Sequence, residues 1–354
     1  MIIMKKSKVT VGSLFAGVGG ICKGFENAGA SLVWANEMDK NAIITYKENF
    51  SHKLIEGDIH DFTDKDKIKI FDDVDIITSG FPCQAFSIAG YRKGFDDPRG
   101  NLFFETAKII EKIRPKAYLL ENVKNLVTHD NGKTFEIIRD TMVNKLNYSF
   151  IPFILNSKDY GDVPQTRERI YVIGFKNEAK HENFSEKNGI YNFRNDKLYR
   201  EELKERGITG IKTLDFRIPK PKILRKRIED ILENKIEEEY FYYTNKSKYF
   251  NQFEEEVASK DTIYQWRRVY LRENKNKLCP TLTANMGTGG HNVPIIKDDY
   301  GIRKLTPLEC FRFQGFPKDY ILPGIARSHL YKQAGNSVTV SVIERIAKEI
   351  LKVL

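Results

Sequence analysis

The stretch KVTVGSLFAGVGG, residues 8–20, joins an apolar run directly to a cluster of glycines. Residues 8–15 have the β-branched and apolar composition of a buried strand, and residues 18–28 have the pattern of a helix. Glycines at a strand-to-helix turn let the backbone approach a ligand closely, as they do in nucleotide-binding sheets. The stretch therefore predicts the first strand and helix of an α/β sheet, with a ligand-binding loop between them.

Strand and helix patterns continue to alternate as far as residue 175. Strands are predicted at 32–35, 74–78, 117–120, 150–155 and 170–175, and helices at 39–50, 102–113 and 134–146. Strands that alternate with helices indicate a mostly parallel sheet with both faces covered. Residues 337–354 carry apolar side chains at helical spacing, which predicts a C-terminal helix with one buried face.

Residues 177–262 break this alternation and are dominated by polar and charged side chains. They include a basic run at 220–227 and an acidic run at 237–239. A charge run is usually a solvated face. The change of pattern predicts a separate, variable domain after the sheet.

Length and charge narrow the class of protein. A chain of 354 residues is long enough for about two domains. Its formal net charge of +10 favours a polyanionic partner such as nucleic acid, although a basic but inert surface would give the same charge. The four cysteines and six histidines have no metal-ligand spacing, so we expect no metal. No apolar run suits a signal peptide or a membrane span, so we expect a cytoplasmic protein.

Two carboxylates accompany the glycine loop. Glu37 follows the second predicted strand, at the position where nucleotide-binding sheets place the acid that binds ribose hydroxyls. Asp58 is placed to receive an adenine amino group. The loop lacks the full dinucleotide spacing and the Walker lysine, so it favours a ligand with adenosine but no phosphate, such as S-adenosylmethionine. A purely structural turn would explain the glycines equally well.

Cys83 follows the strand predicted at 74–78, within the segment GFPCQ at 80–84. A loop at the carboxyl end of such a strand is where α/β enzymes place active sites, although a free cysteine is more often a buried structural residue. Residues 85–100 are polar and contain three glycines, which predicts a mobile lid.

Further polar side chains are predicted near Cys83. Glu121 ends another apolar strand and would face the same crevice, unless it is only a helix cap or a solvated carboxylate. Gln165, Arg167 and Arg169 share one face of an extended segment.

Together these segments resemble the DNA cytosine-5 methyltransferases of restriction–modification systems. The resemblance covers about residues 9–176 and 301–354, and Ser13 is a small departure because many members have aspartate there. Six segments occur in the family order: FAGVGG (15–20), GFPCQ (80–84), ENV (121–123), QTRER (165–169), RKLTP (303–307) and QAGNS (333–337).

The resemblance implies a Rossmann-like, S-adenosylmethionine-dependent α/β sheet and a second, smaller target-recognition domain, with DNA in the cleft between them. The large catalytic domain would be residues 1–178, completed by residues 325–354. The target-recognition domain would be residues 179–324.

The resemblance also implies the catalytic roles. The Cys83 thiolate would add to carbon 6 of a cytosine flipped out of the duplex, which activates carbon 5. Glu121 would hold the amino group and N3 and protonate N3, while Arg167 and Arg169 would hold the base and stabilise the growing negative charge.

Cofactor binding is predicted for a set of residues around the glycine loop. Phe15 would stack on the adenine, Glu37 would bind the ribose and Asp58 the adenine. The full set is Phe15, Gly17, Gly19, Gly20, Glu37, Met38, Asp58, Ile59, Pro82, Leu102 and Asn336. The expected product is S-adenosylhomocysteine.

DNA contacts are predicted from the lid and from residues 264–292, where arginine, glutamine and asparagine side chains can read bases. The candidates are Gln84, Ser87, Arg99, Gln265, Arg267, Arg268, Arg272 and Asn285. By resemblance, Arg268 is the base-reading arginine and Gln265 fills the gap left by the flipped base. Contacts of these side chains with phosphate or solvent alone are the alternative.

The expected partner is double-stranded DNA, bound by a monomer. A cognate restriction endonuclease in the same system, without a stable complex, is also expected. Three alternatives remain open. An RNA cytosine methyltransferase of the same family usually has Pro-Pro-Cys in the nucleophile loop and lacks a large inserted domain. A DNA-binding protein without catalysis would not need Cys83, Glu121 and Arg167. A nucleotide-dependent oxidoreductase would leave Cys83 and residues 165–169 unexplained.

Overall fold

The computed structural model describes residues 7–82, 102–181, 184–187, 190–193, 201, 205–207, 209–267, 270–288 and 292–354. The lid at 85–100 therefore lies outside the described residues, together with five predicted site residues: Cys83, Gln84, Ser87, Arg99 and Arg268.

Helices and strands alternate in the first part of the described chain. The strands are β1 (Thr10–Leu14), β2 (Ser31–Glu37), β3 (Lys53–Glu56), β4 (Ile76–Ser79), β5 (Ala117–Val123), β6 (Ile151–Asn156), β7 (Glu168–Phe175), β8 (Phe184–Lys187), β9 (Ile190–Phe193), β10 (Tyr264–Trp266), β11 (Leu271–Glu273), β12 (Ile295–Lys297) and β13 (Ile302–Lys304). The helices are α1 (Gly20–Asn27), α2 (Lys40–Asn49), α3 (Leu102–Ile113), α4 (Lys133–Asp140), α5 (Ser157–Tyr160), α6 (Lys212–Asp215), α7 (Phe250–Glu256), α8 (Pro307–Phe313), α9 (Arg327–Asn336) and α10 (Val340–Val353). Short 3-10 helices lie at Ile59–Phe62, Lys67–Ile70, Lys124–Val127, His129–Gly132, Ala179–His181, Glu239–Phe241 and Ala284–Thr288.

The central element is a seven-stranded sheet with the order β3-β2-β1-β4-β5-β7-β6. Strands β3, β2, β1, β4 and β5 pair in parallel. Strand β7 runs antiparallel to both of its neighbours, β5 and β6. The sheet is therefore mixed, and the predicted α/β fold with a mostly parallel sheet is confirmed.

Helices cover both faces of this sheet. Alternate side chains of each strand point to opposite faces, so neighbouring residues belong to different core clusters. Ile76 and Leu119 pack with α1 and the C-terminal helix α10 in one core cluster. Their neighbours Ile77 and Tyr118 pack with α3 and α4 in another. The C-terminal helix thus returns to the sheet that the N-terminal half of the chain builds.

Several predicted boundaries differ from the observed ones for local reasons. Helix α1 begins at Gly20, not at residue 18, because Gly17 and Gly19 have φ angles of +57° and +78°. Such left-handed angles end a strand-to-helix turn but cannot belong to a right-handed helix. The helix predicted at 134–146 ends as an α-helix at Asp140 and continues as a π-helix at Thr141–Lys145. Strand β3 was not predicted, since its residues KLIE lack an apolar run.

A second, four-stranded antiparallel sheet has the order β11-β10-β12-β13. Tyr264, Trp266, Ile295 and Ile302 fill a small core between this sheet and helix α7. Strands β8 and β9 form a separate antiparallel pair. The division of the chain at residues 178 and 325 stays a prediction.

One hydrophobic cluster joins the two sheets. It contains Ala16 and Tyr46 from the first part of the chain and Leu282, Phe311 and Tyr331 from the later part. The segments that follow the second sheet therefore pack directly beside the glycine loop. Within the described residues, no helix is both long enough and apolar enough to cross a membrane.

Candidate active site

A cavity of about 480 Å³ opens at the carboxyl edge of the parallel strands. It lies above the adjacent strands β1 and β4, where the strand order reverses and α/β sheets usually bind their ligands. Its volume lies within the range of ordinary small-molecule sites. The predicted site residues that line it are Phe15, Gly17, Gly20, Glu37, Met38, Pro82, Leu102, Glu121, Arg167, Arg169 and Asn336.

Glu37 is fixed in the cavity wall by the backbone. Its Oε1 accepts hydrogen bonds from the N–H groups of Met38 and Asp39, at 2.9 and 2.8 Å. Its Oε2 accepts one from Gly17 N at 2.7 Å. A carboxylate oxygen can accept two hydrogen bonds, so Oε2 keeps one acceptor position for a ligand hydroxyl. This hydrogen bond joins the glycine loop directly to the acid that was predicted to accompany it.

The C-terminal segment supplies a second wall that the sequence reasoning largely missed. Gln333 and Ser337 line the cavity, and both are buried. Gln333 Oε1 accepts from Thr45 Oγ1 at 2.9 Å, but Gln333 Nε2 and Ser337 Oγ have no hydrogen-bonding partner among the described residues. Buried polar atoms without partners are costly, so these two fit a polar ligand in the cavity. Both lie within the quoted segment QAGNS, which was the available signal.

Lys332 and Asp39 also line the cavity and were not predicted. Their side chains form an ion pair at 2.9 Å between α9 and the start of α2.

Three predicted cofactor residues do not line the cavity. Asp58 instead caps the helix Ile59–Phe62, because its Oδ1 accepts a hydrogen bond from His60 N at 3.0 Å. The same oxygen lies 2.6 Å from His60 Nδ1. Ile59 is buried in the core cluster beneath the sheet edge. Gly19 donates its N–H to Ala16 O within the turn. The roles of Gly19, Asp58 and Ile59 in cofactor binding stay predictions.

Glu121 and Arg169 lie beside each other in the wall of the cavity. Glu121 lies on β5, and Arg169 is paired with Val123 across the β5–β7 ladder. Glu121 Oε1 is 3.3 Å from Arg169 Nε, an ion-pair distance without hydrogen-bond geometry. Burial raises the pKa of Glu121, and this effect outweighs the opposite effect of Arg169 and Arg167. The carboxyl group is therefore easier to protonate than an ordinary glutamate, as a proton donor requires.

Asn122 ties the same strand to the segment that leads to Cys83. Asn122 Nδ2 donates to Phe81 O at 2.8 Å, two residues before Cys83 in the sequence. A Cβ on Gly80 would lie 3.7 Å from Glu121 Oε2. The chain therefore passes within a few ångströms of the Glu121 carboxylate at Gly80, three residues before Cys83.

Replacing Asn122 by alanine is expected to lower kcat about tenfold, because an unpaired Phe81 carbonyl would let the entry to the nucleophile loop shift. Affinity for S-adenosylhomocysteine without DNA should change less than about twofold, since most of the cofactor wall is untouched. Steady-state kinetics and calorimetry measure the two effects. Asn125→Ala, an exposed neighbour, is the control; an unchanged kcat in Asn122→Ala would refute the positioning role.

Arg167 is also in the cavity wall, and its terminal nitrogens donate to main-chain carbonyls. Arg167 Nη1 donates to Leu282 O at 2.8 Å, and Nη2 donates to Gly335 O at 3.3 Å and to Ser337 O. Burial, followed by the charge of Arg169, lowers the pKa of Arg167 to about 9. Nη1 and Nη2 are thus engaged by main-chain carbonyls, while the buried Nε has no hydrogen-bonding partner among the described residues.

The predicted DNA-reading residues outside the lid lie on two other segments. Gln265 faces Arg272 across the β10–β11 ladder, while Tyr264 and Trp266 point into the core. Arg267 Nη2 donates to Gln265 Oε1 at 2.9 Å. Asn285 lies outside this hairpin, on the helix Ala284–Thr288. The structure brings Gln265, Arg267 and Arg272 together, and their contacts with DNA stay predictions.

Fold and cavity together define an α/β enzyme with a nucleoside-type ligand site next to a buried acid–arginine pair. Residues 9–352 match the family model of the C-5 cytosine-specific DNA methylases. The chain therefore belongs to this family, and it is a DNA (cytosine-5-)-methyltransferase of the S-adenosylmethionine-dependent kind.

Relatives agree with this assignment over nearly the whole chain. The chain is 49% identical to the Type II methyltransferase M.Bsp6I of Bacillus sp. (strain RFL6), covering 97% of this chain and 98% of that protein. It is 37% identical to the Type II methyltransferase M.HhaI of Haemophilus parahaemolyticus, covering 95% and 92%.

Solved structures show the same fold at lower sequence identity. The Dnmt2 methyltransferase of S. pombe superposes with a TM-score of 0.65 at 18% identity, covering 98% of this chain and 99% of that one. The methyltransferase EhMeth of Entamoeba histolytica gives a TM-score of 0.65 at 16% identity, with the same coverage.

Proposed function

We propose that this enzyme methylates carbon 5 of a cytosine that is flipped out of a short, specific sequence of double-stranded DNA. The reaction runs through a covalent bond between the Cys83 sulfur and carbon 6 of the base. The observation that carries the proposal is the placement of Glu121, with its raised pKa, beside Arg169 and beside the segment that leads to Cys83.

Cys83 acts as the nucleophile, because only addition of a thiolate to carbon 6 makes carbon 5 reactive enough. Glu121 binds the amino group and N3 of the base and gives its proton to N3 as the carbon–sulfur bond forms. Arg169 keeps Glu121 oriented and stabilises the negative charge that develops on the ring. After carbon 5 has taken the methyl group, its proton is lost to water and the Cys83 thiolate is eliminated from carbon 6. N3 returns its proton to Glu121, and 5-methylcytosine is released.

The cavity residues fit S-adenosylmethionine. When bound, this cofactor supplies an electrophilic methyl group on a sulfonium sulfur. Glu37 Oε2 has an acceptor position for a ribose hydroxyl, and Phe15 offers an aromatic face in the same wall. Gln333 and Ser337 offer unpaired polar atoms to the polar parts of the ligand. Among the described residues, no group of three or more histidine, cysteine, aspartate or glutamate side chains could hold a metal ion.

Replacing Glu37 by glutamine is expected to weaken binding of S-adenosylhomocysteine by about 10- to 100-fold. The amide group would turn an N–H donor toward the N–H of Gly17, Met38 or Asp39, so the loop could not keep its shape. Calorimetric titration without DNA measures the effect. Glu56→Gln on the neighbouring strand is the matched control, because its exposed ion pair with Lys47 contributes little. Wild-type affinity in Glu37→Gln would contradict the ribose-binding role.

The DNA partner is bound by the lid, the β10–β11 hairpin and the segment around Asn285. We propose that Gln265, Arg267 and Arg272 approach the bases, because they share one exposed face of the hairpin. The net charge of +10 favours a DNA partner. A monomer suffices, because each strand of a palindromic site can be methylated in turn. Relatives named Type II methyltransferases support the proposal that a cognate restriction endonuclease recognises the same sequence, which methylation protects from cleavage.

The direct test incubates the purified enzyme with labelled S-adenosylmethionine and double-stranded DNA of mixed sequence. The DNA is then hydrolysed and the labelled base identified, and conversion sequencing gives its sequence context. We expect 5-methylcytosine at one short sequence. Label on adenine, or on RNA but not on DNA, would refute the proposal.

A further inference from the structure

Arg167 connects three segments of the chain that are far apart in sequence. It is buried, and its terminal nitrogens donate to the carbonyl oxygens of Leu282, Gly335 and Ser337. Among the described residues, its hydrogen bonds go to main-chain carbonyls and to no carboxylate. A planar guanidinium can reach several acceptors in fixed directions, whereas a lysine ammonium cannot reproduce this fork.

Two of these carbonyls belong to the cofactor wall. Gly335 and Ser337 flank Asn336, and all three line the cavity. The same helix, α9, presents His329, Lys332 and Gln333 to the cavity, at the spacing of one helix face. Arg167 therefore holds the end of the helix that forms this wall.

The third carbonyl belongs to the segment that leads to the predicted DNA-reading residue Asn285. Backbone hydrogen bonds join this segment to the residues before Arg167. Thr166 N donates to Cys279 O at 2.8 Å, and Cys279 N donates to Pro164 O at 2.7 Å. Leu282 N donates to Gln165 Oε1 at 3.2 Å. Residues 279–283 then run into the helix Ala284–Thr288.

Helix α9 and this segment pack without space for adjustment. A Cβ on Gly335 would lie 2.1 Å from the carbonyl carbon of Thr283. A Cβ on Gly287 would lie 2.5 Å from Ser328 O. The helix that forms one wall of the cofactor cavity therefore has its other side in backbone contact with residues 283–287. A displacement of either one is transmitted to the other, because packed backbones cannot compress.

We propose that Arg167 is a positioning residue that couples the cofactor cavity to the DNA-side segment 279–288. It does so by holding the end of α9 and Leu282 in one arrangement. The inference rests on the proposed function, and it replaces direct contact of Arg167 with the base by an indirect role. By thermodynamic reciprocity, cofactor that orders α9 also orders segment 279–288, and DNA that engages this segment tightens cofactor binding.

The first experiment uses the wild-type enzyme and hydrogen exchange, without DNA. Saturating S-adenosylhomocysteine is expected to slow amide exchange in residues 279–288, of which none lines the cavity. Exchange in α7, which belongs to the core of the second sheet, is expected to stay unchanged. If 279–288 exchanges at the same rate with and without the ligand, the coupling is refuted.

The second experiment compares Arg167→Lys with Arg169→Lys. We expect Arg167→Lys to bind S-adenosylhomocysteine about tenfold more weakly without DNA and to lose the protection of 279–288. Its KM for cofactor and for DNA should both rise about tenfold, while kcat at saturation falls less than about threefold. Arg169→Lys should keep the DNA-free affinity and the protection but lose kcat. A hundredfold loss of kcat in Arg167→Lys with wild-type affinity would instead assign it to the base.

Failure of the proposed function has a different signature. If the wild-type protein neither binds S-adenosylhomocysteine nor methylates DNA, the function itself is wrong. If it does both, the exchange and affinity differences test the coupling alone. Thermal unfolding of each variant separates a folding defect from a loss of coupling, and the wild-type exchange experiment does not depend on any variant.

Discussion

Replacing Cys83 by serine is expected to reduce DNA methylation by about four to six orders of magnitude, because nothing else in the site can add to carbon 6. A serine hydroxyl is almost fully protonated at neutral pH, whereas a cysteine with a pKa of about 8.5 already supplies some thiolate. Single-turnover rates with labelled S-adenosylmethionine measure the loss. DNA binding and the unfolding temperature should stay close to the wild-type values, since serine and cysteine side chains have nearly the same size and shape.

A chemical trap makes the covalent step visible. DNA with 5-fluorocytosine at the target position should form a denaturant-resistant complex with the wild-type enzyme, because fluorine cannot leave carbon 5 as a proton does. Cys83→Ser should form none. Cys310→Ala is the matched control: Cys310 is buried on α8, and burial raises the pKa of its thiol well above the ordinary value. It should keep its rate within about threefold. A covalent complex in Cys83→Ser would disprove the assignment.

Replacing Glu121 by glutamine is expected to lower kcat/KM by about 10²- to 10⁴-fold, since the amide can still hold the base but cannot protonate N3. The matched control is Glu168→Gln. Glu168 is an exposed carboxylate at the start of β7, and its ion pair with Lys124 at 3.1 Å is open to solvent. The kcat/KM of Glu168→Gln should stay within about twofold of the wild-type value. Equal effects of the two substitutions would argue against a specific role of Glu121.

The pH dependence gives an independent test of Glu121. Because its pKa is raised in the folded protein, the protonated form persists to higher pH than for an ordinary glutamate. We expect loss of this proton to lower kcat/KM as the pH rises through the raised pKa, while ionisation of Cys83 raises it. The decrease that belongs to Glu121 should be absent in Glu121→Gln. A decrease with pH that survives the substitution would have to come from another group.

Stability should follow the same titration with a defined sign. A raised folded-state pKa contributes stability below the unfolded pKa of about 4.3, and this contribution is lost as the pH rises through the folded value. Above that value the buried carboxylate is charged and costs stability. Glu121→Gln is therefore expected to have a free energy of unfolding at pH 8 equal to or above that of the wild type. Denaturant unfolding measures it, and a clear destabilisation would mean that the ion pair with Arg169 outweighs burial.

The amino-acid sequence predicts the sheet and most of the site residues that follow its strands. Apolar runs of strand length, separated by helical patterns, depend on local composition. The carboxyl ends of parallel strands must share one edge. Glu37 and Glu121, which end predicted strands, could therefore be assigned to this edge from the sequence, and Pro82 could be assigned to the cavity by resemblance. Strand β3 escaped detection because a short edge strand with exposed side chains carries almost no local signal.

The way in which the C-terminal segment completes the site depends on long-range packing. Asn336 could be assigned by resemblance, but the unpaired atoms of Gln333 and Ser337 were not predictable, since they depend on where α9 packs. The contacts of Arg167 join residues that are 115, 168 and 170 positions apart in the sequence. Asp58 caps a local helix, and its predicted contact with the adenine stays a prediction. Periodicity and motif order specify which elements form. The directions of buried hydrogen-bond donors depend on long-range packing, which cannot be predicted from local sequence patterns.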